Sequence, residues 1–230
     1  MTGRVGIRHA SSDTAHPVSD QESLEHHAAE LASRGAPFDR LLAQNGVPPL
    51  WRRPPTFATL VRLILEQQVS LASAAAAYSR LHDRVGSVTP ATVLESTDEQ
   101  LRMDGFSRQK SRYVRSAASR IEEGGFRLPV PGSGREDALG ALRSLTGVGP
   151  WTAACYLIFA CGDPDVWPTG DRALQVSVTR VLGLDSVPTT DVVDEIASPW
   201  SPHRSTAARM LWHDYLGGAS YRALPNAGFA

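Results

Sequence analysis

Residues 142–161, LRSLTGVGPWTAACYLIFAC, join two apolar runs through two glycines and a proline, Gly147, Gly149 and Pro150. Leu139, Leu142 and Leu145 recur at helical spacing before the glycines, and Pro150 suits the first turn of a second helix. The stretch therefore predicts two helices folded back on each other through a turn of four residues, TGVG. It admits no strand, and its chemistry follows from its geometry. The first N–H groups of a helix lack partners within it, glycine lets backbone approach a ligand closely, and the helix dipole adds partial positive charge. Such a turn can hold a phosphate without lysine. It is also the ordinary form of a tight helix-to-helix turn.

The rest of the chain repeats the helical pattern. SDQE predicts a capping box at Ser19 and Glu22 opening a helix to Gly35, and FDRLLAQNG a short one after it. Residues 57–86 carry Phe57, Leu60, Ile64, Leu71, Ala75 and Tyr78 at helical spacing, as one long helix or two jointed near QQVS. Further starts fall at Thr89-Pro90, at the box of Thr97 and Gln100, and at Ser107. Three more helices are expected over 171–182, 190–197 and 201–216. No segment alternates as a strand and no repeat is visible, so the fold class is all-α with about ten short helices. Residues 1–18 are polar and aperiodic and read as a flexible tail.

With 42% hydrophobic residues in 230, the chain can bury a core. A formal net charge of −1 excludes a general polycation, so any nucleic-acid contact must be local. The densest basic stretch holds Arg108, Lys110, Arg112, Arg115 and Arg120, either a phosphate-facing surface or a solvated face. Lys110 is the only lysine, which nearly removes amine nucleophiles. Cys155 and Cys161 lie too far apart along one helix for a disulfide, and AACYLIFAC is far shorter than a membrane span. The expectation is a reduced cytoplasmic protein, nucleoid-associated if prokaryotic, with no membrane partner and no signal peptide. The adjacent His26 and His27 offer no metal-ligand set.

LTGVGPWTA followed by DVWPTGDRAL resembles the helix-hairpin-helix and Gly/Pro-rich loop with aspartate of the HhH-GPD superfamily of DNA glycosylases, with 22 residues from Gly149 to Asp171. FATLVRLILEQQVSLASAAA and LRMDGFSRQKSRYVRSAASRI are similar to segments of its 3-methyladenine DNA glycosylase II, or AlkA-like, branch. The resemblance implies a bilobal fold. A helical barrel of residues 55–160 would carry the hairpin (about 136–161), and residues 19–54 with 161–230 would form the other lobe. It also implies a compact form without the N-terminal α/β domain of larger relatives.

The function so implied is excision of alkylated bases, of the 3-methyladenine and 7-methylguanine type, from double-stranded damaged DNA by a monomer. Asp171 would be the catalytic carboxylate, although its local sequence alone favours a helix cap. Trp151 occupies the position of the lysine that strand-cutting relatives use, so no lyase activity is expected. Trp151, Trp212, Cys155 and Tyr156 would line the base pocket, Trp212 being alternatively a core residue. Gln68 would be the wedge filling the vacated stack, or else a glutamine capping a helix joint. The hairpin residues Gly147, Val148, Gly149 and Thr152, with Arg108 and Lys110, would hold phosphate. The carbonyls of Arg143, Leu145 and Val148 would bind Na+ or K+. No cofactor is required for catalysis, and two cysteines cannot hold an iron-sulfur cluster. The competing readings are a glycosylase for deaminated or oxidised bases, and a non-catalytic damaged-DNA-binding protein.

Overall fold

A computed structural model describes residues 15–218. Among them are twelve α-helices and no strand. They are α1 (Gln21–Ser33), α2 (Phe38–Asn45), α3 (Phe57–Glu66), α4 (Leu71–Val85), α5 (Pro90–Glu95) and α6 (Asp98–Met103). After these come α7 (Arg108–Glu122), α8 (Arg135–Arg143), α9 (Pro150–Tyr156), α10 (Arg172–Leu182), α11 (Thr190–Ala197) and α12 (Arg204–Tyr215).

The helix starts at Thr89, Thr97 and Ser107 form as their sequences predict, each hydroxyl accepting an N–H of the first turn. The first helix differs by one position. Asp20, not Ser19, is its cap, and Ser23 reciprocates where Glu22 was expected. A carboxylate at the dipole's positive end outcompetes the neighbouring hydroxyl. Val18, assigned to the tail, is buried, and its N–H donates to Gly162 O at 2.8 Å. Residues 1–14 of the expected tail lie outside the described residues.

The fold is bilobal because its apolar faces converge on two cores. One gathers Leu60, Ile64, Leu81, Leu101, Val114, Leu142 and Ile158 from α3 through α9. The other gathers Leu31, Phe38, Leu174, Val178, Val193 and Leu211 from α1, α2, α10, α11 and α12. Trp212 packs against both.

Helix α9 runs on through a wider π turn, Leu157–Cys161, which ends at Gly162 in the left-handed conformation. Two carbonyls of this turn take outside donors. Arg209 donates to Ile158 O at 2.8 Å, and the backbone N–H of Arg53 to Phe159 O at 2.9 Å. The two lobes are thereby tied behind the hairpin.

Candidate active site

The TGVG turn takes its shape from one glycine. Gly147 has φ +84°, and a Cβ there would overlap the ring of Tyr113 on α7. Gly149 caps α9 in extended backbone, and a Cβ on it would meet open space. The N–H groups of Gly147, Gly149, Trp151 and Thr152 donate to no acceptor within the described residues. They stand at the positive end of a helix, and the backbone from Arg143 to Gly149 lines an open, shallow depression.

Two expected phosphate contacts change role. The N–H of Val148 is taken by Leu145 O at 3.1 Å and its side chain is buried, so Val148 closes the turn. The hydroxyl of Thr152 accepts from Gln67 Nε2 at 2.9 Å, and burial of this side chain withdraws it from any ligand at the turn.

From the hairpin the chain crosses DPDVWPTG to Asp171. Asp163 and Asp165 anchor this loop at both sides. Arg135 of α8 pairs with Asp163 at 2.8 Å and Arg204 of α12 with Asp165 at 2.7 Å. The hydrogen bonds of Arg204 and Ser201 hold the buried Asp165 carboxyl below the ordinary carboxylate range. Trp167 donates from Nε1 to Asp194 Oδ1 at 3.0 Å and packs edge-on against Trp200. The loop is thus fixed at each bend before it delivers Asp171.

Asp171 is half-buried at the N-terminus of α10, and both its oxygens are held. Oδ1 accepts the Leu174 N–H at 2.9 Å, which is the helix cap. Oδ2 accepts the Trp151 indole N–H at 2.7 Å. The capping role read from the local sequence therefore coexists with a position beside the hairpin. Each oxygen keeps an unused lone pair, so the carboxylate can face a developing positive charge without being displaced.

Trp212 is half-buried and stacks on Phe159, with ring centroids 5.4 Å apart and 28° between planes. Cys155 and Tyr156 do not open beside it, being 1% and 0% exposed. Consecutive residues diverge by about 100° around a helix. Tyr156 therefore points into the barrel core, while Cys155 lies within electrostatic reach of Asp171, Glu66, Arg53 and Arg209. Burial first, and then the two carboxylates, push its thiol well above the usual value, which removes it as a nucleophile.

Behind Cys155 lies a charge cluster that the sequence reading missed. Arg53 forms a bidentate pair with Glu66, at 2.7 and 3.2 Å, and lies over Phe159. Arg209 also lies over Phe159 and donates to Leu50 O and Ile158 O. Burial, with repulsion from Arg52, lowers its pKa to about 9. A full charge of this kind is retained inside a protein only when paired or hydrogen-bonded.

Between α3 and α4, the QQVS turn exposes Gln68 in left-handed backbone, φ +57°, and turns Gln67 inward to Gly147 O and Thr152 Oγ1, both at 2.9 Å. The sequence joint is a true break, and the two glutamines face opposite ways. Of the basic stretch, only part is free for phosphate. Arg108 and Arg112 are exposed on α7. Arg115 binds Leu94 O, Ser96 O and Asp98, Arg120 binds Ser144 O, and Lys110 binds Leu65 O and Gln67 O at 2.7 and 2.9 Å. Partial burial pulls the Lys110 pKa down. The expected phosphate role of Lys110 is corrected accordingly: the C-terminal carbonyls of α3 claim its ammonium. Among the described residues, no group of three or more His, Cys, Asp or Glu could hold a metal ion. Nor is any helix there long and apolar enough to cross a membrane.

The chain is similar to YfjP of Bacillus subtilis, whose name places it with the DNA-3-methyladenine glycosylases, at 30% identity over 66% of this chain and 56% of that one. The match thus spans little more than half of that relative's length. It is similar to the alkylbase DNA glycosidase-like protein mag2 of Schizosaccharomyces pombe, at 26% identity over 84% and 93% of the two chains. A DNA-3-methyladenine glycosidase structure from Bacillus halodurans superposes with TM-score 0.69 and 25% identity, covering 90% and 94%. Residues 61–202 match the family model described as HhH-GPD superfamily base excision DNA repair protein, a span that holds the QQVS turn, the hairpin and Asp171 together. With the family model covering more than half of its length, the chain belongs to the HhH-GPD superfamily of base excision DNA repair proteins.

Proposed function

We propose that the chain is a monofunctional DNA N-glycosylase that extrudes alkylated purines from duplex DNA and hydrolyses their glycosidic bond, acting as a monomer. The observation that carries this reading is the carboxylate of Asp171, held by the Trp151 indole at one oxygen and by the α10 backbone at the other. A carboxylate so fixed stabilises the cationic sugar as the base departs, and it can orient the water that replaces it. An N-alkylated purine carries its own positive charge and leaves without a protonated acid behind it. One carboxylate therefore suffices, where a sugar leaving group needs two. Asp171 and Trp212 sit on helices of the second core and Trp151 on the hairpin, so the base would enter between the lobes.

The hairpin amides and exposed Arg108 would hold the phosphates flanking the lesion, and Gln68 would fill the gap. The carbonyls of Arg143, Leu145 and Val148 would hold a monovalent cation there. The geometry is compatible, because the Val148 N–H uses only one of the two lone pairs of Leu145 O. No step of the reaction passes through that ion. The lyase reaction lacks its amine. Trp151 stands at the hairpin position, and Lys110 donates to two carbonyls elsewhere.

The test incubates the protein with duplexes containing 3-methyladenine, 7-methylguanine, 1,N6-ethenoadenine, hypoxanthine or uracil, and reveals abasic sites with alkali. Excision of the alkylated bases, with no strand cleavage before alkali, is expected. Asp171→Asn should retain DNA binding and lose excision at least about 100-fold. No product from any duplex, or an unchanged rate in Asp171→Asn, refutes the reading.

A further inference from the structure

Helix α7 presents a basic sequence, yet three of its side chains reach the two turns assigned above to DNA. We propose that α7 is a brace locking the wedge turn and the hairpin into one unit, with Lys110 as a positioning residue for base extrusion. This rests on the glycosylase reading.

Lys110 Nζ donates to Leu65 O and Gln67 O, the carbonyls at the end of α3, at 2.7 and 2.9 Å. These groups are orphaned by the end of the helix and sit at its negative pole, where an ammonium is favoured. The wedge turn therefore leaves α3 from a fixed point. Three residues on, and on the same face of α7, the Tyr113 ring fills the space against Gly147 that a Cβ would need. At the far end, Arg120 Nη1 donates to Ser144 O at 2.8 Å, on the residue that closes α8. Gln67 completes the frame: its backbone carbonyl accepts from Lys110 while its side chain donates to Gly147 O and Thr152 Oγ1.

Gln68 is the residue this frame controls. It is exposed and has φ +57°, a backbone state unfavourable for any residue with a side chain and kept only where neighbours impose it. Its predecessor is pinned through both backbone and side chain. A side chain that must enter a base stack needs such a support, because unstacking pushes back on it. A hairpin gripping phosphate supplies the reaction force, and α7 with Gln67 transmits it.

The experiment measures single-turnover excision of 7-methylguanine from two duplexes, one with the lesion paired to cytosine and one with it in a single-nucleotide bulge. Lys110→Met keeps the length of the side chain and removes its donors. It should lose about tenfold on the paired lesion and recover to near the wild-type rate on the bulge, where little stacking opposes extrusion. Lys110→Arg, which can still donate to both carbonyls, should recover most of the paired rate. 2-Aminopurine beside the lesion, read with Asp171→Asn to prevent turnover, should brighten on binding and brighten less with Lys110→Met. Gln67→Leu removes the cross-tie independently and should show the same pattern if Lys110→Met does not fold. Equal loss on both duplexes, or no loss on the paired one, overturns the brace. If the wild type excises none of the five lesions of the preceding test, the glycosylase reading fails instead. The fluorescence then decides alone: a smaller rise in Lys110→Met supports the brace, and an equal rise overturns it.

Discussion

Trp151 and Asp171, 20 residues apart in sequence, are joined by a 2.7 Å hydrogen bond from indole Nε1 to carboxylate Oδ2. The bond links the hairpin to the helix of the other lobe, so the angle of the carboxylate depends on the position of the TGVG turn. Trp151→Phe keeps most of the ring and removes the donor. A hydrogen bond to a charged group is worth about 1.5–3 kcal/mol, so kcat for excision should fall about 10-fold or more while affinity for an abasic-site duplex stays near wild type. Equal losses in kcat and affinity would mean that the indole mainly binds DNA.

The two hairpin glycines should fail differently. Gly147→Ala places a Cβ into the Tyr113 ring at φ +84° and should destabilise the protein by about 1–3 kcal/mol, seen as a lower Tm. Gly149→Ala meets open space in extended backbone and should shift stability by only a few tenths of a kcal/mol, while the added methyl lies where a phosphate would approach. Filter binding with Gly149→Ala should show weaker DNA affinity at unchanged Tm.

Arg53 and Glu66 form a pair with side chains 1% and 10% exposed. Removing one partner of a buried pair costs about 3–5 kcal/mol because the other charge stays behind. Glu66→Leu should therefore cost more than the double change Arg53→Met with Glu66→Leu. Urea melts of the wild type, Arg53→Met, Glu66→Leu and the double variant measure the difference, and simple additivity would show that the pair is not coupled.

Acid should weaken the second core. His27 is buried with its Nδ1 3.3 Å from His203 Nδ1, and His203 pairs with Glu30 at 2.9 Å. Burial, with repulsion from His203, lowers the His27 pKa from 6.5 to about 4, and burial lowers that of His203 as well. Between those values the unfolded chain binds more protons than the folded one. The stability contributed by neutral His27 is complete above pH 6.5 and is lost as pH falls toward 4, amounting to about 3 kcal/mol. Calorimetry across pH 7.5 to 4.5 should show Tm dropping in that window, and His27→Gln should flatten the drop.

Local signals were the readable ones. The caps at Thr89, Thr97 and Ser107 depend on residues three positions away, and those helices form where their sequences place them. Asp171 was legible through its distance from Gly149, whereas its bond to Trp151 needed both lobes in place. Lys110 carried a signal that its charge obscured. It shares a helical face with Val114 and Ala117, both buried, so periodicity pointed it inward while composition suggested a basic surface. Gln67 and Gln68 were distinguishable only once the break between α3 and α4 fixed their opposite directions. The bond from Arg53 to Glu66 and the salt bridges of Asp163 and Asp165 join distant helices, which no single window of sequence contains.

The second core takes α1 and α2 from the beginning of the chain and α12 from its end. During synthesis, α3 to α9 are complete well before α12 leaves the ribosome, so the hairpin's own core has most of its partners, Trp212 and Arg209 of α12 excepted, while Asp171 still sits on a helix without most of its own. A nascent chain at that stage can already form the TGVG turn, yet the Asp171 carboxylate is not held in register with it. Assembly order thus leaves the contact between Trp151 and Asp171 unsupported until α12 has packed against α10.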